Sequence, residues 1–541
     1  MIVRSIRSSK LFPVLLISIL IFFVYHSILG HKFVWDDHDF IQHWSELSTL
    51  SVSDIFEGAG PQNHSEVYRP IRNLIYRLTV PHWQNKPQLF HLNSVIIHIL
   101  ISAIVYFLSL HISKSKTTAT ITTLIFTTHP IQTESVAWIA ASFDLYSPLF
   151  QLASLLFLSQ YLNKRHKPLL YSSYIFFGLA TYSNESAIST TFTISLFLFL
   201  FSKLNNRTKI KLLAPYYFIT FSYWLIRFNI IGSLSRLSIP WSISNHLILI
   251  LTIFGKYLSL LISPVNLNIN HQIQDGINSL FFLDTNLTNY ALEPTLNLHV
   301  VIATIFIATT FLLIFKLPRF KSLFFSLSFI PISLLPVLQI IPQPSLFQEK
   351  YAYLATFGFS LTFAQLISPK INHNLVRMFF VLLILFYSGS TFSRIQIWQS
   401  DLTLFSFSLV QNPNSASTLN SLAAAYANNS NPQTAILLLE SAVAKNPQIS
   451  IYHRNLILQY QLTNQIDKLI STYKQLAISY PQAPMVHLAL GDIYYQLELY
   501  DLAHAYYQQA LILDSGNSYS INQLRKTTQK IKSQEKKPTL Q

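Results

Sequence analysis

Residues 11–40 read LFPVLLISILIFFVYHSILGHKFVWDDHDF, an apolar run from Leu11 to Leu29 followed closely by the carboxylates Asp36, Asp37 and Asp39. The run is long enough to cross a bilayer. Its basic flank (Arg4, Arg7, Lys10) fits insertion with the N-terminus on the cytoplasmic side. The apolar stretch exceeds a usual signal-peptide core and no small-x-small site follows it, so the segment is expected to stay as an anchor. Three acids just past a span are a large share for a chain with only 22 Asp and Glu in 541 residues.

The composition extends that reading to the whole chain. Hydrophobic residues make up 51%, charged residues 11%, and mean hydropathy is +0.36, which leaves too little polar surface to cover a water-soluble protein of this length. The 37 Lys and Arg gather in short clusters between apolar runs: Lys114–Lys116, Lys164–Lys167, Lys203–Lys211 and Lys316–Lys321. Such clusters mark cytoplasmic loops of a multi-pass membrane protein rather than a nucleic-acid surface, and no nucleic-acid partner is expected. The absence of cysteine excludes disulfides, thiolate metal sites and a thiol nucleophile.

Apolar runs at about 11–29, 90–112, 117–130, 143–162, 169–182, 187–202, 212–231, 246–263, 299–315, 322–341, 351–368 and 375–392 predict an all-α membrane bundle of about 11–13 helices. With the basic loops on the cytoplasmic side, parity closes only if 246–263 makes no simple crossing. That run carries Lys256 and is expected to be re-entrant or interfacial, unless a further helix lies nearby. Residues 31–88 and everything beyond 392 then face outward.

From about 394 the chain turns polar and a 34-residue period appears. Leu422, Leu456 and Leu490 fall in phase, as do Tyr426, Tyr460 and Tyr494, then Ala435, Leu469 and Ala503, and Leu439, Tyr473 and Tyr507. This is the tetratricopeptide (TPR) pattern, in which helix pairs bury their apolar faces only by stacking. The expected division is a membrane domain over 1–393, a TPR solenoid over 394–525 and a disordered tail over 526–541.

The remaining acids and bases of the membrane half collect in the outward loops: WDDHDF (Trp35–Phe40), YRPI (Tyr68–Ile71), THPIQTESVAWIAASFDL (Thr128–Leu145), YSNESA (Tyr182–Ala187) and FQEKYAYLATFG (Phe347–Gly358). Carboxylates near a bilayer are costly, so their clustering at helix ends points to function. Arg69, Arg72, His129 and Lys350 on the same side suit a site that holds an anion beside a general base. His91, His98 and His111 do not share one helix face, and no spacing demands a metal; a divalent cation stays open as a cofactor.

In their order along the chain, FVWDD, YRPI, FHLNSVIIHIL (Phe90–Leu100), HPIQTESVAWIAASFDL, SNESAIS and EKYAYL, followed by TPR repeats, resemble the transmembrane and TPR-containing O-mannosyltransferases, members of the polytopic GT-C glycosyltransferases. The resemblance implies an inverting enzyme that moves a mannose-like hexose from a polyprenyl-phosphate carrier to a hydroxyl, with protein Ser or Thr or a glycan as acceptor, on the outer face of an inner or plasma membrane if the chain is bacterial. It makes Asp36 or Asp37 the candidate base, and Arg69, with His129 and Lys350, the candidate grip on the carrier phosphate. Trp35, Tyr68, Glu134, Glu185 and Glu349 become candidate substrate-binding or cation-orienting groups, and the repeats a candidate holder of the acceptor. The chain departs from its relatives in having AASFDL where GRADL is usual, SNES where SKE is usual, and Lys350 where arginine is commoner.

Two other classes compete. A non-catalytic, membrane-anchored TPR scaffold for envelope assembly accounts for the C-terminal half but needs only one or two spans. A transporter would place charges at mid-helix in paired, broken halves, and 11 glycines with no evident inverted repeat do not fit that plan.

Overall fold

In the computed structural model the described residues are 12–39, 49–58, 67–83, 85–232, 242–274, 277–278, 295–343 and 345–535. Each of the twelve apolar runs folds as a helix, with ends a few residues from those expected: Phe12–Tyr25, Pro87–Ser113, Lys116–Thr128, Tyr146–Lys164, Lys167–Ser183, Thr190–Phe201, Asn206–Ile231, Ile243–Ile262, Leu298–Leu312, Leu317–Leu334, Ala355–Ile367 and Asn374–Ile397. Among the described residues, seven helical segments are long and apolar enough to cross a membrane. Ser115, Asn205, Ser242 and Asn297 accept from the first free N–H groups of the helices they open, and Lys114 and Arg165 close theirs in the left-handed conformation. Inside the bundle hydroxyls join helices directly, as in Ser173 with Ser154 and with Tyr216, and Thr190 with Gln151.

Two features depart from the pattern of long apolar runs. Pro70–Trp83 forms an additional helix between the first two apolar runs, and residues 130–145 coil into a chain of one-turn helices before entering Tyr146–Lys164. A short antiparallel ribbon pairs Gln272–Gln274 with Ile277–Asn278.

Helix Ile243–Ile262 has the length of a span, yet its contacts lie at one end of the bundle. Near its start His246 donates to the Gln339 carbonyl (2.7 Å), and near its end the Leu261 carbonyl accepts from His129 (3.0 Å). Gln339 and His129 both follow helices that begin at basic loops, Leu317–Leu334 and Lys116–Thr128, so both stand at the end opposite those loops. Both termini of this helix are thus tied to that end, while Gly255 and Ser259 pack on the start of Leu298–Leu312. Gly255 makes the crossing: an added Cβ would overlap the His299 carbonyl at the start of Leu298–Leu312.

The first compact unit runs through Thr403 and includes Trp398 and Asp401, which pack on Trp138 and Trp35; the second takes up the chain from Leu404. In the second unit the helix pairs Ala416–Asn428/Pro432–Lys445, Ser450–Leu462/Ile466–Ser479 and Pro484–Gln496/Tyr500–Leu513 form the solenoid, followed by Ser518–Glu535. The in-phase Leu, Ala and Tyr positions other than Leu422 share one core, and Leu422 is buried as well. The turns repeat with the same period, Ser430, Asn464 and Glu498 each having positive φ (59°, 55° and 60°). The tail expected to be disordered from 526 is helical through Glu535; residues 536–541 lie outside the described residues.

Candidate active site

The adjacent acids Asp36 and Asp37 have opposite fates. Asp37 is buried, its Oδ2 accepting from the Val34 N–H (3.0 Å) and its Oδ1 from the Ala140 N–H (2.8 Å). It pins the loop after the first span to the 139–142 turn, and burial pushes its carboxyl up to about 7 against the pull of those two donors. Asp36 is partly exposed and accepts no hydrogen bond among the described residues. Burial raises its carboxyl to about 6, Lys350 draws it down and Asp39 pushes it up.

Just before them, the loop is held by Trp35. Its φ is +56°, strained for a bulky side chain, and its N–H donates to Asp401 Oδ1 (2.7 Å) while His38 binds the other Asp401 oxygen (2.9 Å). The Trp35 ring stacks on Trp138 at 4.7 Å, and Trp138 in turn on Trp398 at 5.8 Å. Lys350 Nζ lies 4.5 Å from the Trp138 ring centroid and, among the described residues, pairs with no carboxylate within ion-pair distance. Burial lowers its ammonium below the usual lysine value, while Asp144, Glu134 and Asp36 act from a distance to keep it charged. An uncommitted carboxylate and an uncommitted ammonium therefore flank one tryptophan stack.

Two charge networks fix this centre. In one, Arg69 grips Glu185 through two 2.7 Å bonds and also meets Asp144 (3.3 Å), which further accepts from Arg72 (3.3 Å) and Asn184 (3.1 Å). In the other, Glu349 is fully buried and accepts from Arg394 (2.8 Å), His271 (2.7 Å) and the Asn268 N–H (2.6 Å), while its own N–H donates to Glu134 Oε2 (3.2 Å). Burial raises the Glu134 carboxyl, with Glu349 adding to the rise and Lys350 opposing it.

Several expected roles change with these contacts. His129 is buried and neutral: Nε2 donates to Leu261, Nδ1 accepts from the Ile131 N–H (3.3 Å), and burial lowers it to about 4, so no ring nitrogen is left for a phosphate. Arg69 has its fork filled by Glu185. Tyr68 spends its hydroxyl on the Phe56 carbonyl (3.0 Å) and packs on Tyr182 and Tyr223 rather than presenting a face for sugar. Glu185 and Glu349 orient arginines. Of the expected set, Trp35 and Lys350 meet at Trp138, and Asp36 and Glu134 act electrostatically on Lys350. Among the described residues no group of three or more His, Cys, Asp or Glu is gathered as for a metal ion.

Arg394, Asp401 and Arg227 were not singled out from the sequence. Arg394 and Arg227 are lone charges in the apolar runs that end the helices Asn374–Ile397 and Asn206–Ile231, and that signal alone marks them. A cavity of about 460 Å³ opens beside the first network, with Arg69, Glu185, Arg227 and Tyr351 in its lining.

Helices, repeats and site together define a polytopic, all-helical membrane protein with a C-terminal TPR unit. The tetratricopeptide repeat family matches residues 484–517. The chain is similar to Protein O-mannosyl-transferase TMTC3 of Mus musculus and of Homo sapiens, each 30% identical over 111 residues, and to Protein O-mannosyl-transferase TMTC1 of Mus musculus, 32% identical over 108 residues. Those matches cover 20% of this chain and 12%, 12% and 11% of the respective relatives, a small part of each. Among solved structures, the apo form of the Archaeoglobus fulgidus oligosaccharyltransferase aligns with 12% identity and a TM-score of 0.40, covering 72% of this chain and 56% of that one.

Proposed function

We propose that the chain is a membrane glycosyltransferase that moves a mannose-like hexose from a polyprenyl-phosphate carrier to the hydroxyl of a protein Ser or Thr on the outer side of the membrane. The observation that carries this reading is that Asp36, which accepts no hydrogen bond among the described residues, lies within electrostatic range of Lys350, whose ammonium sits over Trp138 in the Trp35–Trp138 stack. The partial likeness to O-mannosyltransferases supports the same class.

Asp36 acts as the base. It takes the proton of the acceptor hydroxyl as that oxygen bonds to the anomeric carbon, the bond from that carbon to the carrier phosphate oxygen breaks, and the configuration inverts. Negative charge grows on the departing phosphate, and Lys350 is the cation within reach of Asp36 that is free to balance it. Asp37 holds the loop, and Glu134 keeps Lys350 charged.

The test separates the two acids. Asp36→Asn removes the base and leaves every observed loop contact in place, so transfer from a polyprenyl-phosphate mannose donor to a Ser/Thr peptide should fall by about 10²-fold or more with folding unchanged. Undiminished transfer by that variant refutes the assignment. A scaffold is the second reading, favoured by the family match falling within the repeats; it predicts partner binding by the native chain with no sugar transfer at all.

A further inference from the structure

We propose that Asp401 is a positioning residue for Asp36: its carboxylate clasps Trp35 and His38, on either side of the two adjacent acids, and so sets where the Asp36 carboxyl stands. The assignment rests on the proposed role of Asp36 as the base. Asp401 follows the last apolar helix and is remote in sequence from that loop, yet one of its oxygens accepts from the Trp35 N–H (2.7 Å) and the other meets His38 Nε2 (2.9 Å). An acid in the first turn of a helix, here Asp401–Gln411, ordinarily serves the free N–H groups of that turn. At this helix other residues do so. The Thr403 N–H donates to Ser400 Oγ (3.3 Å) and the Ser400 N–H to Thr403 Oγ1 (3.0 Å), a reciprocal cap that leaves both Asp401 oxygens to the loop.

The clasp is the end of a longer strap. Gln396 Nε2 donates to Ser27 Oγ (3.0 Å), the Lys32 N–H donates to the Gln399 carbonyl (3.3 Å), and the fully buried Trp398 stacks on Trp138, which stacks in turn on Trp35. Residues 396–401 thus run along 27–38, and Asp401 is the one charged residue among them. Its place matters because Trp35 stands at φ +56°, a conformation that a bulky L residue leaves unless something holds it. Return of Trp35 to negative φ would turn the next residue, Asp36. On the far side Asp37 is fixed by the Ala140 N–H (2.8 Å). Asp36 accepts no hydrogen bond of its own among the described residues, so its neighbours along the chain decide where its carboxyl lies. A general base works only within hydrogen-bond reach of the proton it takes, and Asp401 supplies that precision from outside the reacting groups.

The experiment takes two readings from the purified full chain in phosphatidylcholine nanodiscs. Hydrogen–deuterium exchange followed by mass spectrometry reports the loop itself: Asp401→Ala should speed exchange in peptides covering 33–38 by about tenfold or more, as loss of a charge-assisted bond requires, while helix Pro87–Ser113 keeps its protection. Transfer from a polyprenyl-phosphate mannose donor to a Ser/Thr peptide reports the consequence. Asp401→Ala should lower kcat by about tenfold or more with the peptide KM near its native value. The same change made in Asp36→Asn should cost nothing further, because a residue that acts by placing the base has no effect once the base is gone. Unchanged exchange in 33–38 overturns the assignment, and so does an equal loss in the native and Asp36→Asn backgrounds, the mark of a general structural role. Should Asp401→Ala not fold, His38→Ala releases one of the two clasped residues at a half-exposed position and must speed exchange in the same peptides; unchanged exchange there overturns the assignment. Undiminished transfer by Asp36→Asn alone strikes the proposed reaction, whereas a loop indifferent to Asp401 strikes only the clasp.

Discussion

At the scale of single residues, two neighbouring acids of the same kind do different work because consecutive side chains leave the loop in different directions. Asp37 has a backbone N–H on each oxygen, an arrangement an asparagine cannot copy, since its amide would point a donor at a donor. Asp37→Asn should therefore destabilise the chain by about 1–3 kcal/mol, read as a lower midpoint in thermal unfolding in detergent, whereas Asp36→Asn should leave that midpoint unmoved. The pH profile follows from the same geometry. A base must be ionised, so with the Asp36 carboxyl raised to about 6, transfer should climb as pH rises through 6 and level off above it. Lys350 must stay protonated, and because burial lowers it the activity should fail on the alkaline side below the ordinary lysine value of 10.5. Lys350→Arg should carry that alkaline limb upward; a limb that does not move excludes Lys350 as its source.

At the scale of elements, the spans were readable because hydropathy is a local property, and the long helices end close to where the apolar runs do. Helix Pro70–Trp83 was not, since it mixes Arg72, Arg77 and His82 with apolar positions and carries Pro81, a pattern that no run of hydrophobicity exposes. The pairing of charges was equally hidden. Arg69 with Glu185 and Glu349 with Arg394 are meetings of distant segments, and sequence spacing places such groups on a common side without choosing partners. The crossing of Ile243–Ile262 over Leu298–Leu312 depends on Gly255, so Gly255→Ala should force the two backbones apart and cost about 1–3 kcal/mol, visible as a lowered thermal midpoint. In the solenoid the opposite change should help. Glu498 occupies the left-handed turn that Ser430 and Asn464 occupy in the earlier pairs, and Glu498→Gly or Glu498→Asn should stabilise the repeats by about 0.5–1 kcal/mol, read by denaturant unfolding followed by circular dichroism.

At the scale of the molecule, the two units carry different kinds of surface. The membrane unit ties Asp144, Glu185, Glu134 and Glu349 into two bonded networks, while among the described residues Asp36 accepts no hydrogen bond and Lys350 forms no ion pair. The repeat unit contains a cavity of about 880 Å³ in which Arg454, Asp492 and Gln496 stand among the apolar Ile457, Leu458 and Leu488, a mixture suited to a polypeptide segment. Its floor is fixed, since Tyr507 donates to Asp492 (2.7 Å) and Gly491 leaves room for the Tyr507 ring. If the groove holds the acceptor, donor chemistry and acceptor choice are separable. A chain ending at Asn412 should still hydrolyse the polyprenyl-phosphate sugar slowly with water while losing transfer to Ser/Thr peptides. Arg454→Glu in the full chain should raise the peptide KM severalfold and leave kcat near its native value, the signature of lost ground-state binding. A fall in kcat at constant KM would move the repeats from holding the acceptor to shaping the reaction itself, and equal losses of hydrolysis and transfer in the shortened chain would make them a support for the fold.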